Sequence, residues 1–136
     1  MINRKLKLVY LVLIGMIFIS CSTEPVDVCD YKNDPISYDC IQGIFDLNCV
    51  ECHNISNAQK PYLDAGLSYQ NIVDQDVEWN GYNYIYPGIP YSSHIFLAIS
   101  NSSLNESWFM PKNRAKLPQN KIDYIENWIN AGAIPY

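Results

Sequence analysis

The segment Cys49-Val50-Glu51-Cys52-His53 decides how the rest of the chain is interpreted. Two cysteines stand two residues apart, and a histidine follows the second one directly. This arrangement is the attachment signature of a c-type haem. The two thiols can reach the two vinyl groups along one edge of the porphyrin, and the adjacent histidine then lies under the iron as its proximal ligand. The segment therefore predicts one covalent haem c, bonded to Cys49 and Cys52 and ligated by His53.

Two other kinds of site use the same cysteine spacing. A thioredoxin-like redox pair lies within a βαβ pattern, whereas this chain carries no strand signal of any strength. A structural zinc site needs four ligands. Outside the motif the folded domain offers His94 and Cys40, and Cys40 is expected in a disulfide. Haem is therefore the stronger interpretation.

A haem iron that transfers electrons with little rearrangement also needs a distal ligand. Once Met1 and Met16 leave with the leader described below, Met110 is the remaining methionine. Pro111 follows it and fixes the local backbone, because proline restricts its own φ and the conformation of its predecessor. We predict Met110 as the distal iron ligand. The alternatives are ligation by His94, an open distal position, and a methionine that only fills the core.

The N-terminus has the layout of a secretory signal. Arg4, Lys5 and Lys7 precede an apolar run over residues 8–19, and positive charges before an apolar run are typical of such signals. The run is shorter than the roughly 20 residues that a transmembrane helix requires. We therefore predict that residues 1–20 are a cleaved signal peptide. The alternative is a short membrane anchor that stays on the protein.

The end of this signal indicates a lipid anchor. Phe18-Ile19-Ser20-Cys21 resembles the lipobox of bacterial lipoproteins, although Phe18 stands where leucine is usual. The resemblance implies that Cys21 is acylated and becomes the mature N-terminus, and several acyl chains hold a protein firmly on a membrane. Residues 21–36 are rich in turn formers and predict a tether. We expect an exported protein anchored to a bacterial membrane and facing the periplasm or the cell surface.

The net charge of the chain restricts which classes of partner it is expected to bind. The chain has 9 basic and 14 acidic side chains, and the acidic excess grows when the basic leader is removed. Phosphate contacts need a basic face, so the balance argues against nucleic acid. A redox protein and the membrane are the expected partners. The basic residues that follow Met110 predict a docking patch, unless Arg114 or Lys116 only neutralises a haem propionate. These residues are Lys112, Arg114, Lys116 and Lys121.

Two of the five cysteines remain, Cys29 and Cys40. An exported protein matures where disulfides form, so we expect these two to be bridged. The closed loop is short and would contribute about 2–3 kcal/mol in the chain-entropy model. The alternative is a pair of free thiols.

The rest of the chain has helical patterns. Apolar residues at helical spacing predict a first helix from about Tyr38 to Leu47, a short helix near residues 68–73, a third from Ser92 or Ser93 to about Ser100, and a last one from Pro118 to Gly132. His94 falls beside the apolar stripe of the third helix and is expected to be exposed or half-exposed. The fold class is all-α, with one domain over residues 37–136.

Four segments in this order resemble small monohaem cytochromes c, and within them the planctomycete-type haem domain. They are Cys49-Val50-Glu51-Cys52-His53, Tyr86-Pro87-Gly88-Ile89-Pro90-Tyr91-Ser92-Ser93, Phe109-Met110-Pro111, and the stretch from Ile122 to Ala133. The resemblance implies a small helical domain wrapped around one covalent haem, with Met110 as distal ligand and the last helix packed on the first. Leu117-Pro118 replaces the usual serine or threonine cap, and residues 79–86 are unusually aromatic.

The predicted ligation indicates a function. With His53 and Met110 on the iron, no position is open for a substrate, so we expect an electron carrier and not an enzyme. The alternatives are a haem subunit of a larger redox enzyme, or a ligand-sensing or peroxidase-like protein with an open or weakly held distal site.

Overall fold

The computed structural model describes residues 26–77, 81–100 and 108–136. The predicted signal peptide and the lipidation residue Cys21 lie outside these ranges. Within them the elements are α1 (Tyr38–Asn48), α2 (Ser68–Ile72), a 3-10 turn (Pro90–Ser92), α3 (His94–Ser100) and α4 (Gln119–Asn130). The same ranges contain no sheet, only isolated bridges such as that between Val73 and Ile85. The all-α class is confirmed at this level.

Helix α1 begins at a capped end and finishes at the Cys49–His53 motif. The Ser37 hydroxyl accepts the backbone N–H of Cys40 at 3.4 Å, which satisfies one of the amides that a helix N-terminus leaves unpaired. Ile41, Ile44 and Phe45 are buried on one face of the helix, as predicted. At its other end the Cys49 N–H donates to the Phe45 carbonyl.

Helix α4 starts one residue later than we predicted. Pro118 precedes the helix with an extended ψ of 143°, and its carbonyl accepts the N–H groups of Lys121 and Ile122. The predicted stripe of Ile122, Ile125, Trp128 and Ile129 is buried. Gly132, at a φ of +94°, ends the helix, because glycine adopts left-handed backbone without a Cβ clash.

The core lies where α4 packs against α1 and α3. Trp128 is fully buried, and its Nε1–H donates to the Ile134 carbonyl at 2.8 Å. Its ring lies 5.5 Å from that of Tyr38 on α1. A buried tryptophan with a satisfied N–H stabilises the contact between the two helices. In the described ranges no helix has the length and apolarity needed to cross a bilayer.

The segment before α1 is folded onto the domain. A disulfide joins Cys29 to Cys40, with Cα atoms 5.8 Å apart. Tyr31 is buried and packs edge-to-face on Tyr124 of α4, with ring centroids 5.3 Å apart. The Tyr124 hydroxyl also donates to the Pro35 carbonyl at 2.7 Å. The folded region therefore includes much of residues 27–36, which the sequence assigned to the tether.

The aromatic loop before α3 fixes where that helix begins. Ile85 is fully buried and its N–H donates to the Ile72 carbonyl at 2.9 Å. The buried Ser93 hydroxyl accepts the Tyr86 N–H at 2.8 Å and donates to the Ile89 carbonyl at 3.0 Å. Ser93 therefore ties this loop to the first turn of α3, which starts at His94.

Candidate haem-binding cleft

Two adjoining cavities lie between the motif loop, α3 and the chain that leads into α4. Their volumes are about 250 and 220 Å³, and because they share wall residues we treat them as one cleft. Both cavities are lined by Cys49, His53, Gln59, Ile99, Met110 and Leu117. The first is otherwise mainly apolar, whereas the second opens among Glu51, Lys112 and Arg114. Ligand sites are commonly apolar clefts of this kind with a few convergent polar groups.

The motif itself forms a tight turn on one wall of the cleft. The N–H groups of Cys52 and His53 both donate to the Cys49 carbonyl, at 3.1 and 2.9 Å. Two asparagine side chains hold the outside of the turn: Asn54 Nδ2 donates to the Val50 carbonyl, and Asn57 Nδ2 to the Glu51 carbonyl. Cys49 is partly buried and Cys52 is exposed. The turn therefore presents both thiols and the imidazole to the cleft.

His53 is held in a state that suits a metal ligand. Its Nδ1 lies 3.1 Å from the Lys60 carbonyl, and a carbonyl can only accept, so Nδ1 carries the proton. The other ring nitrogen, Nε2, then has a lone pair available, which is the usual arrangement of metal-bound histidines. Burial lowers the pKa of His53, although hydrogen bonding to the Lys60 and Pro61 backbone offsets part of this effect. A neutral imidazole is the form that binds a metal.

The properties of the thiols disfavour the thioredoxin-like alternative. Burial, with smaller contributions from Asp46 and Cys52, raises the pKa of Cys49 to about 12. A redox dithiol needs a lowered thiol pKa, because the thiolate is the reactive form. The raised pKa of Cys49 therefore argues against an exchange-active dithiol at this site.

A structural zinc site at the motif is not supported either. In the part of the chain that the structure describes, one group of at least three potential metal ligands converges, and it consists of Cys29, Asp34 and Cys40. Both of its cysteines are consumed by the disulfide. A structural zinc site needs four ligands close together, so the motif cysteines are not placed for one.

Met110 lies on the wall formed by α3 and the chain after it. Its side chain is partly buried against the core and lines both cavities. Its N–H donates to the Ala98 carbonyl at 3.0 Å, which anchors the backbone to α3. Met110 is far from the motif in sequence, and the fold brings the two to one cleft. Two thiols, an oriented imidazole, a thioether and apolar walls form a donor set that suits a covalent haem.

His94, which the sequence indicated only as an alternative distal ligand, lies at the cleft. The expectation was an exposed or half-exposed histidine, and the structure has it half-buried on the wall of the first cavity. Burial lowers the pKa of His94, and its ring centroid lies 5.4 Å from that of Trp108. The sequence feature that indicates this position is the spacing between His94 and Ala98. Ala98 lies four residues further along α3 and lines the same cavity. Nothing in the periodicity indicated Leu63 or Tyr84, because they reach the cleft from irregular segments.

The predicted basic patch divides into two regions. Lys112 and Arg114 line the second cavity, and Arg114 pairs with Glu51 of the motif. Lys121 lies instead against the N-terminal segment, 2.5 Å from an Asp27 carboxylate oxygen. Lys121 therefore does not line the cleft with Lys112 and Arg114, and the docking role of the patch stays a prediction.

Comparison with known protein families, curated proteins and solved structures gives no match to this chain.

Proposed function

We propose that this protein is an exported, lipid-anchored monohaem c-type cytochrome that carries single electrons. One observation carries the proposal: the Cys49–His53 turn and Met110 line the same, largely apolar cleft. In this proposal Cys49 and Cys52 form the two thioether bonds, His53 is the proximal ligand and Met110 the distal one. The haem, when bound, supplies the Fe(II)/Fe(III) couple.

The protein's own residues would set the properties of that couple. The Lys60 carbonyl orients His53 through Nδ1, and such partners fix the tautomer and raise the basicity of a metal-bound histidine. Buried side chains such as Phe45 and Ile99 limit water at the site. A histidine–methionine pair raises the reduction potential relative to two histidines. With His53 and Met110 both supplied by the protein, no coordination position would be left for a substrate, which favours a carrier or relay subunit over an enzyme.

The first experiment asks whether haem is covalent and has a sulfur ligand. The whole chain, with its leader, would be produced in a bacterium that matures c-type cytochromes and extracted with acid–acetone. We expect the haem to stay on the polypeptide, and the ferric protein to show the near-infrared band of a sulfur–iron bond. Met110→Leu, which keeps the volume without the donor, should lose that band. Haem that extracts freely would contradict the proposal.

A second experiment addresses the anchor. Cys21→Ala should move the protein from the membrane to the soluble exported fraction, because acylation would be its means of attachment. Membrane association that survives this substitution in detergent-free washes would favour a retained N-terminal helix. Haem content serves as the control, since it should be the same in both proteins.

A peroxidase-like or ligand-sensing haem is the second candidate, and one observation favours it. His94 lies in the first cavity beside Trp108, where a residue that exchanges protons with a ligand would be expected. Such a protein needs an open distal position. Carbon monoxide separates the two functions: the reduced carrier should resist it, whereas an open site should bind it at once.

A further inference from the structure

The distal wall of the cleft holds a second potential iron ligand close to Met110. His94 and Ala98 stand four residues apart on α3, so they share one helix face, and both line the first cavity. The Met110 N–H donates to the Ala98 carbonyl at 3.0 Å. The methionine backbone is therefore attached about one helical turn, roughly 5.4 Å along the axis, from His94.

Trp108 contacts His94 and lies two residues before Met110, so it connects the two potential ligands. Its ring lies 5.4 Å from the His94 ring, with the planes inclined at 60°, and it precedes Met110 by two residues and lines the same cavity. The segment that carries the thioether thus also contacts the imidazole. If the Met110 sulfur were not on the iron, His94 would still stand on α3 at the same wall.

We propose that His94 is a reserve distal ligand, which takes the position of Met110 when the sulfur leaves the iron. This inference rests on the proposed haem ligation by His53 and Met110. The exchange breaks an Fe–S bond and forms an Fe–N bond, and it needs no oxidant or reductant. The protein would then have two coordination forms, and the form with two histidines has the lower reduction potential.

Other donors near the cleft compete less well for the vacated position. Lys60 lies on the proximal side, since its carbonyl is 3.1 Å from His53 Nδ1, and Lys112 lines only the second cavity, whereas His94 lines the first. The whole chain has 2 histidines, and His53 is the proximal ligand. An imidazole that arrives from within the chain on the distal side must therefore come from His94.

The test compares Met110→Leu with Met110→Leu/His94→Ala in the haem-loaded proteins. We expect the single variant to remain six-coordinate and low-spin without the near-infrared band, and with a reduction potential below that of the wild type. The double variant should become high-spin, and added imidazole should restore the low-spin spectrum. If His94 is bound in about nine of ten single-variant molecules, the apparent affinity for carbon monoxide is about tenfold lower than in the double variant.

Three outcomes would overturn the proposal. The single variant could be high-spin, with the same carbon monoxide affinity as the double variant. The double variant could stay low-spin, which would show that a donor other than His94 takes the position. His94→Ala alone could remove the low-spin spectrum, which would make His94 the resident ligand. Met110→Ala repeats the comparison if the leucine variant does not fold. Haem that is not covalent in the wild type would instead contradict the proposed function, and the acid–acetone step reveals it separately.

Discussion

Two cysteine pairs lie at opposite ends of α1, and the fold treats them in opposite ways. Cys29 and Cys40 join the N-terminal segment to the first turn of the helix through a disulfide. Cys49 and Cys52 follow the last turn, are not joined, and line the cleft. The residue type is the same, so the surroundings decide the role. One pair fixes the backbone, whereas the other presents two thiols beside an oriented imidazole.

The difference follows from where each pair directs its sulfur atoms. Cys40 is buried in the helix face that contacts the N-terminal segment, so a bridge there ties together two segments that already pack. The Cys49–His53 turn is stabilised by its own backbone hydrogen bonds and needs no bridge. Burial raises the pKa of Cys49 to about 12. Little thiolate forms there, and thiol–disulfide exchange is slow without it.

The largest expected effect separates the two pairs by their chemistry. Cys49→Ser/Cys52→Ser should remove all covalent haem, because the thioether donors are gone, whereas Cys29→Ser/Cys40→Ser should keep one haem per folded chain. Haem staining after denaturing electrophoresis, normalised to protein, measures both. If the second variant also lost its haem after purification of the folded fraction, the division between a structural and a chemical pair would be wrong.

The next largest effect is the loss of stability expected when the Cys29–Cys40 disulfide is removed. Cys29→Ala/Cys40→Ala should lower the free energy of unfolding of the haem-loaded protein by about 2–3 kcal/mol, since the bridge limits the entropy of the unfolded chain. Denaturant titration followed by tryptophan fluorescence gives the value. Reduction of the wild-type disulfide under mild conditions is the matched control and should produce the same loss. A change below about 0.5 kcal/mol in both would mean that the bridge adds little beyond the packing around Tyr31.

The contrast also explains how far the sequence could be interpreted. Helical spacing predicted α1 and α4 to within a residue or two, because Ile41, Ile44, Trp128 and Ile129 repeat with the period of a buried face. The Cys49–His53 motif and Met110 have residue types with a characteristic chemistry, so the sequence alone is enough to propose their roles. The contact of Asp27 with Lys121 has no such signal, because it joins distant segments and leaves no local pattern.

Some residues of the cleft also could not be predicted from local sequence patterns. His94 lies on a face defined by Ala98, and a small residue such as alanine gives a weak signal for burial. Leu63 and Tyr84 belong to irregular segments, where side-chain direction is set by loop geometry and not by a helical period. The disulfide was an expectation from compartment and cysteine count, and the structure contains that bridge. Haem binding and lipidation stay predictions.

A third prediction, with a smaller expected effect, concerns the hydrogen bonds that hold the N-terminal segment near the Cys29–Cys40 disulfide. The Tyr124 hydroxyl accepts the Ser37 N–H at 2.9 Å and donates to the Pro35 carbonyl at 2.7 Å. Tyr124→Phe keeps the ring against Tyr31 and should destabilise the fold by about 1–2 kcal/mol, because two partly buried backbone groups lose their partner. Tyr136→Phe, at an exposed C-terminal residue, should change nothing. Equal unfolding midpoints for the two variants would show that packing alone holds the segment.

The smallest expected effect is a change in the pH dependence of stability, and it concerns Asp27 in the N-terminal segment. Its slight burial alone would raise its pKa, but hydrogen bonds from Lys121 and Tyr31 and the Lys121 charge outweigh this and hold the pKa below the ordinary value of 3.8. A carboxyl with a lowered pKa in the folded state adds stability above the ordinary pKa, and that stability is lost as the pH falls through the folded pKa.

Asp27→Asn should therefore reduce the loss of stability between pH 6 and pH 2, while leaving the cleft unchanged. The carboxylate is partly exposed, so the pair contributes at most about 1 kcal/mol. A double-mutant cycle with Lys121→Met isolates it: the coupling should be measurable at pH 6 and vanish at pH 2. A coupling of equal size at both pH values would mean that Asp27 acts by packing, and that its charge does not matter to the stability of the N-terminal segment. If the coupling disappears in acid, as expected, and the absorption spectrum stays constant, the Asp27–Lys121 pair is lost without a change at the cleft.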